Sequence, residues 1–189
     1  MKRKWIALVV ALVTLTVSTS ALAAQPSKTT EDLTRVIEIE TKTGKAGSSL
    51  IWVEKTPFEV AKTQLTAIKS FLAKENTISN YFSDDVKKGM SALLPAGTDL
   101  TKLTMSEYIA LGIGEYDATM GDVTATFQFP TAFAADKTVI AMVGYVGSDG
   151  TVIWQALKTT VVDGNLHIVF PSDLMAKIGH DAILAVLSN

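Results

Sequence analysis

The 189-residue chain contains no cysteine. That excludes disulfides, thiolate nucleophiles, cysteine-bound zinc, iron–sulfur clusters and a lipid-modified cysteine. Histidine is almost missing, with only His167 and His180 present. Neither sits in a metal-ligand or catalytic spacing, so both read as structural. No G-x-S-x-G elbow, H-E-x-x-H, Walker A or Rossmann pattern occurs. Gly112-Ile113-Gly114 lacks a third glycine and reads as a bend or bulge in a strand. Long apolar runs are missing after the first two dozen residues, so no later segment can span a membrane. Leu94-Pro95-Ala96-Gly97-Thr98 only superficially matches a cell-wall sorting signal, since Gly and Thr are out of order and no apolar tail follows.

What is present begins with an export tag. Met1-Lys2-Arg3-Lys4 is a positive n-region, and Ile6 to Val17 is apolar except for Thr14 and Thr16. Ala21-Leu22-Ala23 has the small-x-small form of a signal-peptidase site, placing the cut before Ala24. The alternative is a retained membrane anchor, for which the apolar core is short: a spanning helix needs about 20 residues. The full chain carries a net charge of −2, and the tag holds three cations and no acid, which leaves −5 on the mature chain. Arg35 is then its one arginine. That balance argues against nucleic acid and against an electrostatic membrane anchor. The expected setting is secreted or otherwise extracytoplasmic, in a bacterium.

Residues 24–32 are polar and read as a flexible N-terminus. Arg35 to Glu40 predicts a strand with Ile37 and Ile39 on one face and Glu38 and Glu40 on the other. Leu50 to Glu54 predicts a second strand, with 41–49 as a hairpin loop between them. A helix follows, with Thr56 as N-cap, Pro57 first and Glu59 closing a capping box. Its apolar stripe is Phe58, Ala61, Leu65, Ile68 and Leu72. Ser83 caps a second helix, buried through Val86, Met90, Leu93 and Leu94 and stopped by Pro95. Residues 33–95 thus form a strand–strand–helix–helix segment, and 96–102 a linker.

From residue 103 the period becomes two. Val123, Ala125, Phe127 and Phe129 point to a core, while Asp122, Thr124, Thr126 and Gln128 face water. Further strands are expected at 108–116, 139–146, 151–160, 165–170 and 182–187, with a short helix after Pro171. Asp149 and Asp163 fall in Gly-containing turns; hairpin chemistry accounts for both without calcium. The fold class is therefore α+β, with an antiparallel β-sandwich over 103–189.

The stretch YDATMGDVTATFQFP…TVIAMVGYVGSDGTVIWQAL…DGNLHIVFP…AILAVL resembles the immunoglobulin-like and fibronectin-III-like modules of bacterial exported proteins. The Cys…Trp…Cys spacing of true immunoglobulin domains is absent. The resemblance implies a non-catalytic role in adhesion, spacing or ligand binding, and carries over no functional residue. Candidate ligand contacts are Trp52, Tyr108, Tyr145 and Trp154, with Tyr81 and Tyr116 behind them. For Trp154, core packing is the stronger expectation, because its strand is apolar on both faces. Glu107, Glu115 and Asp117 are the one acidic cluster that could serve glycoside hydrolysis. The chain is expected to be a non-enzymatic binding protein without cofactor or metal, its partner a protein or polysaccharide. The alternatives are a small secreted hydrolase or an assembly component.

Overall fold

The computed structural model describes residues 34–74 and 76–189. The signal-peptidase residues Ala21, Ala23 and Ala24 and the polar N-terminus lie outside the described residues. The elements are β1 (Arg35–Thr41), β2 (Gly44–Lys45), β3 (Ile51–Val53), α1 (Glu59–Leu72), α2 (Asp84–Leu93), β4 (Thr104–Ile113), β5 (Val123–Gln128), β6 (Val139–Val146), β7 (Val152–Val162), β8 (Asn165–Phe170), α3 (Ser172–Met175) and β9 (Asp181–Ser188). All strand pairs are antiparallel, in the order β2-β1-β5-β8-β7-β6-β9-β4-β3. The architecture is α+β, and the sheet curls into a half-barrel.

Curling follows from β7. Its first half, Val152–Leu157, pairs with β6, and its second half, Lys158–Val162, pairs with β8. One strand thus turns the corner between two halves of a single sheet. Strands β6, β7 and β8 run as a meander, and β9 returns beside β6, the Greek-key order. Two facing sheets were expected; here one hydrogen-bonded order encloses the core by its own curl.

Alternation puts two different apolar sets on the two faces. The concave face holds Ile109, Leu111, Val123, Ala125, Phe127, Val143, Leu157, Leu166, Ile168, Leu184 and Val186, and α3 adds Leu174 and Met175. The convex face of β4, β9, β6 and the first half of β7 holds Tyr108, Ala110, Ile140, Met142, Ile183, Ala185 and Leu187. Helices α1 and α2 cover it with Ala61, Ile68, Phe82, Met90 and Leu94. This is why β6 is apolar on both sides. Each fully buried aliphatic side chain contributes about 1.5–3 kcal/mol.

Local expectations fared unevenly. The stripe of α1 meets the convex core as expected, and Ser83 Oγ accepts from Val86 N (3.4 Å) at the start of α2. The Thr56 cap does not form: Phe58 is the N-cap, extended at ψ 165°, with no side-chain hydrogen bond. Phe58 packs on the convex core, and that anchor delays the helix start by two residues. Leu93 points to solvent, 44% exposed. The 41–49 hairpin is also corrected. Strand β1 folds back only onto β2, and β3 crosses to pair with β4 at the other end of the sheet. Ile37 and Ile39 do not share a face, because a bulge between Val36 and Glu38 turns Ile37 outward while Ile39 is buried.

Both turn readings hold. Asp163 and Gly164 have φ of 50° and 78°, the two positive values of a type I′ hairpin. Asp149 Oδ1 accepts from Thr151 N (3.0 Å) and Thr151 Oγ1 (2.7 Å).

Candidate functional site

The two ends of the sheet approach each other. Cα atoms of β1 and β3 come within 8 Å, yet no ladder joins them. Hydrogen-bonded strands lie about 4.8 Å apart. The half-barrel therefore has a seam. A cleft of about 290 Å³ opens along it, lined by Thr34, Arg35, Val36, Ser48, Ile51, Trp52, Val53 and Lys55.

Trp52 is the one candidate aromatic in this cleft. It lies on the convex face of β3, directly across from Gly112 of β4. A Cβ on Gly112 would stand 2.0 Å from Trp52 Cε2. The glycine is thus the seat on which the indole lies, and not the bulge expected from its sequence; the bulge in β4 falls between Met105 and Glu107. Trp52 Nε1–H donates to Glu54 Oε1 (2.7 Å), which fixes the ring in its plane. The ring stays half-buried.

Trp154 repeats the arrangement with a different outcome. It lies across from Gly144, where a Cβ would stand 3.0 Å from its ring. Phe82 then meets it edge-on at 5.5 Å, beneath the helical layer. The same Trp-on-Gly pair, half-buried in both places, packs against the helical layer in one and lines the cleft in the other.

The remaining candidates are packed away. Tyr108 is 2% exposed, and its hydroxyl donates to Ala61 O (2.7 Å), tying β4 to α1. Burial pushes its phenol pKa upward. Tyr145 is buried in the concave core. Neither can touch a ligand from those positions. Tyr81 donates to Gln64 Oε1 (2.8 Å) and Tyr116 to Gly121 O (2.8 Å).

The acidic cluster is not assembled. Glu107 and Glu115 are eight residues apart along an extended chain, about 26 Å at 3.3 Å per residue. Glycosidase carboxyls stand about 5–9.5 Å apart. Asp117 is occupied with Thr119, accepting from its N–H (2.8 Å) and hydroxyl (2.7 Å). Glu107 is nevertheless unusual. It faces the concave side in a cross-strand row of Val186, Ala141 and Leu157. Its Oε2 is buried without a partner, and desolvation raises its pKa from 4.5 to about 7.

His167 projects from the outer face of β8, between Thr126 and Thr160. His180 lies beside the start of β9, with Nδ1–H donating to Ile113 O (3.2 Å). The two are on different elements and line no common cleft. Among the described residues, no group of three or more His, Cys, Asp or Glu could hold a metal ion. No helix among them is long and apolar enough to cross a membrane.

The cations of the cleft are new relative to the sequence reading. Arg35 Nε–H donates to the neutral amide oxygen Oε1 of Gln128 (2.8 Å). Neither Arg35 nor Lys55 forms an ion pair with a described residue, a state they share with Lys42, Lys69, Lys74, Lys102, Lys137 and Lys158. The scarcity of arginine was the only sequence signal that could have singled out Arg35. Comparison with family models, with curated proteins and with solved structures gives no match to this chain.

Proposed function

We propose that this chain is an exported, non-enzymatic binding protein that recognises its partner at the seam cleft. The observation that carries the reading is the chemistry of the cleft wall. It places Trp52 beside two cations, Arg35 and Lys55. Such a wall holds a ligand by contact and charge. A hydrolase site would gather titratable groups with matched roles in one cleft. Among the described residues no histidine or carboxylate lines this one, and Glu107, whose pKa is raised by burial, has no second acid or base in its cross-strand row. The Greek-key order around β6, β7 and β8 supports kinship with immunoglobulin-like sandwiches, which hold ligands without chemistry. The N-terminal charge and apolar pattern support export.

The test is a glycan-array and pull-down screen with protein purified after expression of the whole chain, run beside Trp52→Ala. Loss of the captured ligand in a folded Trp52→Ala variant supports the cleft. Equal capture by the variant overturns it as the recognition site, and turnover of the captured ligand overturns the non-enzymatic reading.

A further inference from the structure

We propose that the seam cleft binds an acidic saccharide, with a sugar ring stacked on Trp52 and a uronic-acid carboxylate held by Arg35 and Lys55. This deepens the binding reading above and rests on it. Three independent observations converge on the ligand class.

The first is the pose of the indole. Gly112 presents no side chain, so the Trp52 ring lies down on the sheet. Its N–H is taken by Glu54, which removes the ring's one polar donor from the cleft and pins the plane. What remains to offer is a flat apolar face. Trp154 shows what the protein does when such a ring belongs to the core: it brings up Phe82 and two helices. No ring stacks on Trp52 among the described residues, and it lies outside both buried clusters. A sugar ring presents apolar C–H groups on one face and hydroxyls at its rim. It matches a pinned indole, whose face carries the negative lobe of the ring quadrupole.

The second is charge. The mature chain is expected to be acidic overall, yet the cleft brings together its sole arginine and a lysine, neither ion-paired with a described residue. Arg35 is positioned by Gln128 through Nε, and its planar fork suits a carboxylate. The acid next to Lys55, Glu54, accepts the indole N–H. Two cations beside an apolar plate select an anion that also has an apolar face.

The third is size and shape. About 290 Å³ falls just below the range of drug-sized ligand clefts, about 300 to 1,000 Å³. An inserted peptide strand needs both flanking strands about 9.6 Å apart, two strand spacings. The seam closes to within 8 Å, so a whole strand does not fit, whereas one or two sugar units lying on the cleft do.

The experiment is isothermal titration of the purified protein with a trigalacturonate, a neutral trisaccharide (cellotriose) and penta-glutamate. The expected result is binding of the trigalacturonate roughly tenfold or more tighter than of either other probe, weakening as salt rises from about 50 to about 500 mM. Trp52→Ala should weaken it roughly tenfold, and Trp52→Tyr should restore most of the loss, because stacking and not volume is required. Arg35→Gln combined with Lys55→Gln should bring the trigalacturonate down to the level of cellotriose. Penta-glutamate binding with no saccharide binding would sink the acidic-sugar assignment while sparing the cleft as a recognition site. Equal affinity for cellotriose and trigalacturonate would overturn the role of the two cations. Binding unchanged in Trp52→Ala, with the variant folded by circular dichroism, would overturn the platform.

Discussion

Replacing Glu107 with glutamine should stabilise the protein at pH 8 and leave it almost unchanged at pH 4. The carboxyl faces the concave core with Oε2 unpartnered. Burial disfavours its charged form and lifts its pKa from 4.5 to about 7. Between those values the folded state holds a proton that the unfolded chain has released. Stability from this group is therefore full below pH 4.5 and is lost as pH rises through 7. Moving a carboxyl that far corresponds to roughly 3 kcal/mol at about 1.36 kcal/mol per pKa step. The side chain is only half-buried, and solvent screening reduces this to about 1–2 kcal/mol. Glutamine has the same shape and no proton to lose. The gain at pH 8 should appear in urea unfolding as a higher midpoint at unchanged slope. It should raise Tm by about 2–8 °C for a domain of this size. Taking the variant-minus-parent difference at each pH cancels the titration of Asp84, Asp99, Asp117 and Asp149, which hydrogen bonds hold below the ordinary carboxylate range. A difference that is flat from pH 4 to 8, or a parent more stable than the variant at pH 8, would refute the reasoning.

Three further outcomes are expected. Tyr108→Phe removes the hydroxyl bonded to Ala61 O and should cost about 1 kcal/mol in urea unfolding, with the helices still folded by circular dichroism. Gly164→Ala should cost about 1–3 kcal/mol, because φ is 78° and the new methyl would stand 2.8 Å from Ala132 Cβ; a neutral result would mean the turn is not type I′ in solution. His167→Ala and His180→Ala should each leave cleft binding within about twofold by titration, since neither lines the cleft.

Much of the strand content was legible from local pattern. Residues 139–146 form β6 and 165–170 form β8, with the expected bounds. Strands that alternate, such as β5, declare their buried face because a side chain on the wrong face would expose Phe127 or bury Gln128. Pairing was not legible. That β1 lies on β5 and β3 on β4 is decided by contacts across some 60 to 90 residues, for which periodicity carries no signal. The seam cleft was hidden for the same reason, being made where two non-pairing ends meet. Gly112 looked like a bend because its partner could not be known; only the register with Trp52 reveals it as a seat. Ile37 was misassigned since one unpaired residue in a bulge inverts the faces beyond it. Thr56 lost its cap to the packing of Phe58, a case of tertiary contact overriding a local start signal.

The last strand, β9, is an interior one, filling the slot between β6 and β4. A chain delivered from its N-terminus supplies those eight residues after every other strand of the sheet. Until they arrive, β4 and β6 have no common neighbour, and the platform for α1 and α2 lacks Ile183, Ala185 and Leu187. The sheet is thus continuous from β6 to β4 only once β9 is in place. A product clipped short of Asp181 would carry the other strands and the helices and still lack the one strand that joins β6 to β4, leaving the platform under α1 and α2 split down its middle.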